Sequence, residues 1–446
     1  GVQTCALPIY LVFIIFVCWV CNSNAQTNQV SVKAFINVNV LTMSDSVPKA
    51  SQTVIIKDDK IVQIGASKDV QVPANALVIN GQNKQFLIPG LTDAHVHLHR
   101  TGSEEWVRAF INSGVTTVLN LGGYPKVLKI RADIRNHQII GPDIYTAGRS
   151  GVVRKLKRKG FRKVSLKRIE KNILRDKAKG YDFIKVYGQL TLKQFEHMLK
   201  VAKREGIHAM GHIPRNLSAD DALRLGQKSF AHAEEFVYTK FQKFDETKVA
   251  PFAKKAATHN TWLVANLVAY QKILQTWGRP QVMDSILRLP ETKRLHPELI
   301  KIYAQDWYGS RSAKGRWYPK KVYAFLFHIT RHFHNAGVKI LAGTDTAFPL
   351  AAPGESLIDE IQLLVKAGLS PYEALKAATA NPGEYIKLFV DKKAKFGKVK
   401  KNYKAHLVLL DSNPLQDLRI LRKPAGVMLR GKWYNKTALK KLITWQ

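Results

Sequence analysis

Between a β-rich start and a β-rich end, the chain repeats a short apolar run followed by a longer helical pattern. In one such pattern, TLKQFEHMLKVAKREG, Leu192, Phe195 and Leu199 fall on one helical face. Thr191 and Gln194 begin it at the spacing of a capping box. Regular alternation of this kind predicts a parallel sheet covered by helices, and eight repeats predict a (β/α)8, or TIM, barrel. The eight strand candidates are residues 91–98, 114–121, 143–148, 182–188, 206–213, 229–236, 261–268 and 338–345.

Strand-like sequence patterns also occur near both ends of the chain. Alternating apolar residues run from about 31 to 80, and HLVLLD and GVMLRGKWY begin at His406 and Gly426. We expect these segments to pair in one small composite β-sandwich domain beside the barrel, so the predicted fold class is α/β. The stretch 269–330 holds more than one helical pattern and is expected to cover the barrel mouth. The predicted domains are 26–85 for the N-terminal part of the sandwich, 86–390 for the barrel and 391–446 for the C-terminal part of the sandwich.

Residues 1–25 are set apart from the fold. GVQTCALPI (1–9) resembles a translated sequencing adapter, and the YLVFIIFVCWVC that follows has the length of a signal-peptide core. Ala25 is a small residue at a cleavage point before Gln26. We therefore expect an exported protein, periplasmic or extracellular, with a buried strand or a membrane anchor as the alternative. A mature chain without this segment would carry no thiol, because the three cysteines are Cys5, Cys18 and Cys21.

The chain is strongly basic. It has 70 Lys and Arg against 33 Asp and Glu, a formal charge of +37. Thirteen basic residues crowd into Arg154–Lys179, and a second basic run spans Lys387–Lys404. Such runs attract anionic polymers, membrane surfaces or acidic substrates in a salt-dependent way. The alternative is that they are solvated surfaces that keep the protein soluble. No nucleic-acid motif accompanies them, so no specific nucleic-acid partner is expected.

Histidines, a lysine and an aspartate occur near the ends of the predicted barrel strands. His95 and His97 are two positions apart, so they project to the same face of a strand and both imidazoles can reach one metal ion. Alone, this pair is a weak signal, because each residue is also an ordinary polar residue. In a TIM barrel, however, the carboxyl ends of all strands meet at one mouth. The further candidates at strand ends are Lys185, His212, His232 and Asp345.

The sequence around these residues resembles that of the amidohydrolase superfamily, specifically its imidazolonepropionase-like and prolidase-like branch. The resemblance covers nearly everything after about Ser31. The spacing of HxH, Lys, His, His and Asp is its most specific part. The matching segments are FLIPGLTDAHVHLH, SGVTTVLNLGG, DFIKVYGQLT, GHIP, SFAHAEEF, ILAGTDT and PGESLIDEIQLLVKAGLSPYEALKAATANP.

The resemblance implies a binuclear metal site. His95, His97 and Asp345 would hold the more buried ion, and His212 and His232 the more exposed one. Lys185 would bridge the two ions as a carbamate. Mixed ligands of this kind suit zinc best, with manganese and iron as alternatives. The ions would convert a bridging water to hydroxide and polarise the scissile carbonyl, and Asp345 would carry the proton to the leaving group.

Substrate contacts are less determined by the sequence. Tyr187 shares a strand face with Lys185, so it is a candidate for a carbonyl or carboxylate contact, with a packed barrel tyrosine as the alternative. Arg149 and His137 are weaker candidates for anion contacts. The chain departs from relatives in three places, where it has Leu119-Asn120, Ile358 and His406.

These features predict a secreted metal-dependent hydrolase that cleaves an amide bond in a dipeptide or an N-acyl amino acid. Within the same superfamily, a lactonase and a cyclic-amidine deaminase or imidazolonepropionase-type hydrolase are alternatives, because one metal centre serves all three chemistries. We expect a small-molecule substrate with an amide or ester bond. A different class is a polyanion- or surface-binding protein on a hydrolase scaffold. The sequence contains no GxSxG and no Walker loop, which leaves serine hydrolase and nucleotide-binding interpretations without support.

Overall fold

The fold was obtained as a computed structural model, which describes residues 1, 32–98, 105–148, 164–288, 295–304, 319–348 and 350–445. The expected signal segment lies outside the described residues. Arg149 and the 154–163 part of the first basic run also lie outside them. None of the described helices combines the length and the apolar character needed to cross a membrane.

One mixed sheet joins the two ends of the chain. Its strands follow the order β16-β15-β14-β5-β1-β2-β3, and β4 pairs with β1. The small domain is thus built from both ends of the chain, as predicted. The strand Phe86–Pro89 belongs to this sheet, where it pairs with one strand from each end of the chain, so the barrel strands begin at Leu91 rather than at residue 86. The strands are β1 (Val32–Val40), β2 (Lys49–Lys57), β3 (Lys60–Ala66), β4 (Leu77–Asn80), β5 (Phe86–Pro89), β14 (Leu407–Leu410), β15 (Gly426–Leu429) and β16 (Lys432–Asn435).

The second sheet is an eight-stranded parallel barrel in which consecutive strands are neighbours. The last strand returns to the first, because the Ala94 amide donates to the Ala342 carbonyl at 2.9 Å and the Asp345 amide donates to the His95 carbonyl at 2.8 Å. The predicted (β/α)8 barrel is confirmed, with each strand inside or close to its predicted run. The strands are β6 (Leu91–Val96), β7 (Val115–Asn120), β8 (Asp143–Gly148), β9 (Phe183–Val186), β10 (His208–Gly211), β11 (Ser229–Ala231), β12 (Trp262–Val264) and β13 (Lys339–Leu341).

Helices connect the barrel strands and cover the outside of the barrel. The predicted capping box is present, with Thr191 and Gln194 exchanging hydrogen bonds at the start of α4. Several helices fall in the stretch 269–330, as predicted. The helices are α1 (Arg108–Asn112), α2 (Pro125–Arg135), α3 (Leu166–Ala178), α4 (Leu192–Arg204), α5 (Ala219–Arg224), α6 (Glu234–Thr239), α7 (Val249–Thr258), α8 (Leu267–Thr276), α9 (Pro280–Leu287), α10 (Pro297–Tyr303), α11 (Pro319–Asn335), α12 (Glu355–Lys366), α13 (Pro371–Ala377), α14 (Ala380–Phe389) and α15 (Lys436–Lys441), with 3-10 turns at Glu105–Val107, Glu246–Lys248 and Leu418–Arg422.

A cluster of apolar side chains fills the barrel interior below the carboxyl ends of the strands. Phe183, Met210 and Trp262 point from β9, β10 and β12 into one buried cluster with Tyr385 of α14. Phe183 and Lys185 share a face of β9, since they are two residues apart in a strand. The side chains therefore change from apolar to polar along the barrel axis, and the polar ones lie at the carboxyl ends of the strands.

A partly buried ion cluster joins the two sheets. Asp143 at the start of β8 accepts from Lys404 Nζ at 2.6 Å, from His406 Nε2 at 3.1 Å and from Arg430 Nη1 at 2.8 Å. Burial alone would raise the pKa of Asp143, but His406, Lys404 and Arg430 hold it well below its ordinary value. His406 is therefore a residue of the domain junction, far from the strand ends that carry the metal-ligand candidates.

Candidate metal centre

Three of the predicted ligands meet where the barrel closes. His95 is the fifth residue of β6, His97 follows that strand, and Asp345 follows β13. Asp345 Oδ1 lies 2.7 Å from His97 Nε2 and 3.4 Å from His95 Nε2, and the two Nε2 atoms are 3.3 Å apart. Asp345 holds this position at a φ of 61°, in the left-handed region that non-glycine residues seldom adopt. Two imidazole nitrogens and a carboxylate oxygen thus converge on one point.

His232 and His212 extend this group. Ligand atoms of His95, His232 and Asp345 lie within 4.8 Å of one another. The ring of His232 is 4.6 Å from that of His95 and 5.1 Å from that of His212, between centroids. Burial lowers the pKa of His95 well below its ordinary value and that of His232 to about 3, so both rings are neutral and can bind a cation.

Lys185 is buried beside these ligands. It is 1% exposed, and its Nζ has no hydrogen-bond partner among the described residues. Burial lowers its pKa to about 8, although Asp345 and Glu235 oppose the shift. An unpaired buried ammonium is costly. Burial therefore makes this amine easier to deprotonate than that of an exposed lysine, and a ligand role requires a deprotonated or chemically modified amine.

A buried carboxylate orients His212. Glu235 Oε1 lies 2.7 Å from His212 Nδ1, so the opposite nitrogen, Nε2, is left for a metal. Glu235 also accepts from the Ile213 amide at 3.1 Å and from both terminal nitrogens of Arg215. Burial would raise the pKa of Glu235, but His212 and Arg215 lower it to about 2. Glu235 lies in the matching segment SFAHAEEF but was not among the predicted site residues. Its only signal was a pair of acidic residues just after a strand-end histidine.

A second residue that the sequence analysis missed orients His95. Asn266, 2% exposed, places Oδ1 3.2 Å from His95 Nδ1 and 3.3 Å from the amide of His232. The amide of His232 can only donate, so Oδ1 is the acceptor and His95 carries its proton on Nδ1. His95 Nε2 is thereby left to face Asp345 and His97. Asn266 follows the seventh barrel strand and has a φ of 54°, and that position was its only sequence signal.

A cavity of about 300 Å³ opens onto the candidate ligands. Its lining includes the candidate ligands His97, Lys185, His212, His232 and Asp345. It also includes the apolar residues Ala269, Ile273, Leu326 and Phe348, together with Glu234, Asn266 and two tyrosines. Burial raises the pKa of Glu234 to about 8. The cavity can therefore hold a small molecule with an apolar part against one wall and a reactive group against the ligands.

The predicted substrate contacts fall in different places. Tyr187 lines the cavity, and its ring stacks on that of His212 with centroids 6.2 Å apart. His137 is exposed in the loop that leads from α2 into β8. That loop lies at the amino ends of the strands, opposite the cavity, so the structure does not bring His137 to the site. Arg149 lies outside the described residues.

The positions where the chain departs from relatives are part of the barrel packing. Asn120 is fully buried, and its side chain bonds the Leu98 amide at 2.8 Å and Thr146 Oγ1 at 2.9 Å. Leu119 and Ile358 are fully buried apolar residues. None of the three is among the residues that line the cavity.

A family model matches most of the chain. The amidohydrolase family profile matches residues 86–434, which include every ligand candidate. Among curated proteins, the ochratoxinase of Aspergillus niger is 39% identical over 94 residues, which are 21% of this chain and 18% of that protein. The aligned part is therefore a small share of that relative's length.

Solved structures extend the comparison to nearly the whole chain. A bottromycin amidohydrolase superposes with a TM-score of 0.69 at 22% identity, covering 92% of this chain and 88% of that one. A prolidase-like protein from Bifidobacterium longum gives a TM-score of 0.66 at 22% identity, with 93% and 98% covered. The A. niger ochratoxinase gives 0.66 at 17% identity, with 92% and 96% covered. At these identities the likeness shows a shared fold.

Proposed function

Because the chain belongs to the amidohydrolase family, we propose that it is a metal-dependent hydrolase that cleaves an amide bond in a dipeptide or an N-acyl amino acid. The observation that carries the proposal is the convergence of the candidate ligands around Lys185. Its buried Nζ has no hydrogen-bond partner among the described residues. Several relatives of the same fold are named as hydrolases of amide bonds, which supports the substrate class.

The donor set fits a pair of divalent ions. His95, His97 and Asp345 would hold one, and His212 and His232 the other, with Lys185 as a bridging carbamate. Neutral imidazoles with a carboxylate suit zinc. When bound, the ions supply Lewis acidity, which lowers the pKa of water and polarises a carbonyl.

The protein's own residues then have separate tasks. Glu235 and Asn266 hold the His212 and His95 rings with their Nε2 atoms facing the site. Asp345 keeps Oδ1 against His97, which leaves Oδ2 to take a proton from the attacking water and pass it to the leaving amine. Tyr187 lines the cavity and would donate its phenol proton to a carbonyl or carboxylate of the substrate.

A substrate screen with metal-loaded protein tests the proposal. Dipeptides, N-acyl amino acids and lactones are assayed in parallel, with Asp345→Asn as the inactive control. We expect amide cleavage by the native chain and a loss of roughly 10²–10⁴-fold in Asp345→Asn, the range typical of general acid–base catalysis. Turnover of lactones alone would favour the lactonase alternative. Amide turnover that survives Asp345→Asn would contradict the assigned role.

We also propose export and an anionic partner, as two independent expectations. Export rests on the apolar segment before Gln26, and N-terminal sequencing of the chain recovered from outside the cell tests it. The anionic partner rests on the second basic run, where five lysines are exposed around the segment that follows α14. These lysines are Lys392, Lys393, Lys395, Lys400 and Lys401.

A further inference from the structure

Two adjacent glutamates at the start of α6 have different surroundings. The Glu235 carboxylate is fully engaged by His212, Arg215 and the Ile213 amide. The Glu234 side chain lines the cavity instead, and it forms no hydrogen bond or ion pair with any residue that the structure describes. The start of α6 therefore directs the Glu235 carboxylate towards His212 and the Glu234 side chain towards the cavity.

Burial raises the pKa of Glu234 and Arg215 lowers it, but the Arg215 guanidinium is engaged elsewhere. Arg215 is bound to Glu235 by both terminal nitrogens, and its guanidinium carbon lies 4.3 Å from the Tyr238 ring centroid. Lys185 belongs to the candidate ligand set. A carboxylate that lines a cavity without a hydrogen-bond partner can accept charge-assisted hydrogen bonds from a cationic ligand.

The rest of the cavity limits what that ligand can be. Besides the ligand candidates, the cavity lining includes the aliphatic and aromatic side chains of Ala269, Ile273, Leu326 and Phe348. Glu234 and the candidate ligands line the same cavity. An amine recognised by Glu234 would therefore share that cavity with the scissile carbonyl, as the α-amine of a dipeptide does.

We propose that Glu234 binds the protonated α-amine of the substrate, so that the enzyme selects dipeptides with a free amine and an apolar first residue over N-acyl amino acids. This inference rests on the proposed amide hydrolysis. It distinguishes dipeptides from N-acyl amino acids, which the candidate metal ligands alone do not.

A matched pair of substrates isolates the amine. Leu-Leu and 4-methylpentanoyl-Leu differ only in the α-amine of the first residue. We expect the native protein to cleave Leu-Leu with the higher kcat/KM. Glu234→Gln should lower kcat/KM for Leu-Leu by about 10- to 100-fold, as for a lost hydrogen bond to a charged group, and leave that for 4-methylpentanoyl-Leu within about twofold. Glu196→Gln, the same change on the exposed face of α4, is the control.

Binding measurements keep the test independent of turnover. Calorimetry with L-leucinamide and 4-methylpentanamide should show tighter binding of the amine in the native protein and no preference in Glu234→Gln. Metal content and thermal unfolding of the variant exclude damage to the neighbouring His232. The role of Glu234 would be overturned if Glu234→Gln lowered kcat/KM equally for both substrates, or for neither. Equal binding of the two amides by the native protein would also overturn it. Absence of hydrolysis together with an amine preference would refute amide hydrolysis and retain the amine site.

Discussion

Asn266 offers a sharp test of how the candidate ligands are held. Its Oδ1 accepts from His95 Nδ1 and from the His232 amide. The His232 amide also donates to the Val264 carbonyl at 3.0 Å, so it keeps a partner when Asn266 changes. The loss therefore falls on His95, whose fully buried Nδ1–H would have no acceptor. An unsatisfied buried donor costs about 1–3 kcal/mol.

The backbone at Asn266 suggests the variants to use. Its φ of 54° suits glycine, so Asn266→Gly deletes the acceptor without straining the chain. Asn266→Asp keeps an oxygen at the same place. Because Asn266 Nδ2 has no hydrogen-bond partner among the described residues, replacing it with oxygen removes no bond. Asn260→Gly makes the same change at an exposed residue with a φ of 53° and is the matched control.

Metal affinity is the measurement. Zinc dissociation constants from chelator competition should rise about 10- to 100-fold in Asn266→Gly, which is the usual effect of losing a residue that orients a metal-binding histidine. Asn266→Asp should recover most of the affinity, and Asn260→Gly should match the native protein. The Co²⁺ absorption spectrum should shift only in Asn266→Gly. The reasoning fails if Asn266→Gly binds zinc like the native chain, or if Asn266→Asp is as weak as Asn266→Gly.

Three further predictions concern other parts of the molecule. Lys185→Ala should lose metal and activity together, and acetate or propionate should restore part of both by acting as a small carboxylate bridge. An active Lys185→Ala variant, or a native chain with one metal, would exclude the carbamate. Asp143→Asn should lower the free energy of unfolding by about 1–3 kcal/mol near neutral pH. The pKa of Asp143 is depressed in the folded state, so its contribution is present above the ordinary pKa of about 3.9 and is lost as pH falls through the lower folded value. Urea unfolding should therefore show the native–variant difference shrink in strong acid, whereas a constant difference would contradict the ion cluster. Replacing the exposed lysines of 392–401 with Gln should reduce retention on heparin and leave hydrolysis unchanged. Retention of the native protein should fall steeply as salt rises, whereas salt-insensitive retention would favour a solvated surface.

The sequence was sufficient to predict the barrel because its signals are local. Apolar runs of strand length and amphipathic helices follow from periods of two and 3.6 residues, which are readable without tertiary information. The parallel topology then dictates that all strand carboxyl ends meet, so residues as far apart as His95 and Asp345 could be assigned to one site before any distance was known. The strand order and the second sheet confirm this reasoning.

Other features depended on which way individual side chains turn. The sequence placed Glu234 and Glu235 side by side, and only the packing of α6 directs one to His212 and the other to the cavity. His137 looked suitable by residue type, but a helix-to-strand loop lies at the opposite end of the barrel from the cavity.

The sequence by itself determined which strands exist, their order and which residue types stand at their ends. Tertiary structure alone decided which buried polar groups pair. Asn266 reaches His95 across 171 residues of chain, and His406 reaches Asp143 across 263. The physical reason is that a buried donor or acceptor must be satisfied wherever the fold brings a partner. That partner is set by barrel closure and by the contact between the two sheets, and neither leaves a periodic signal in the sequence.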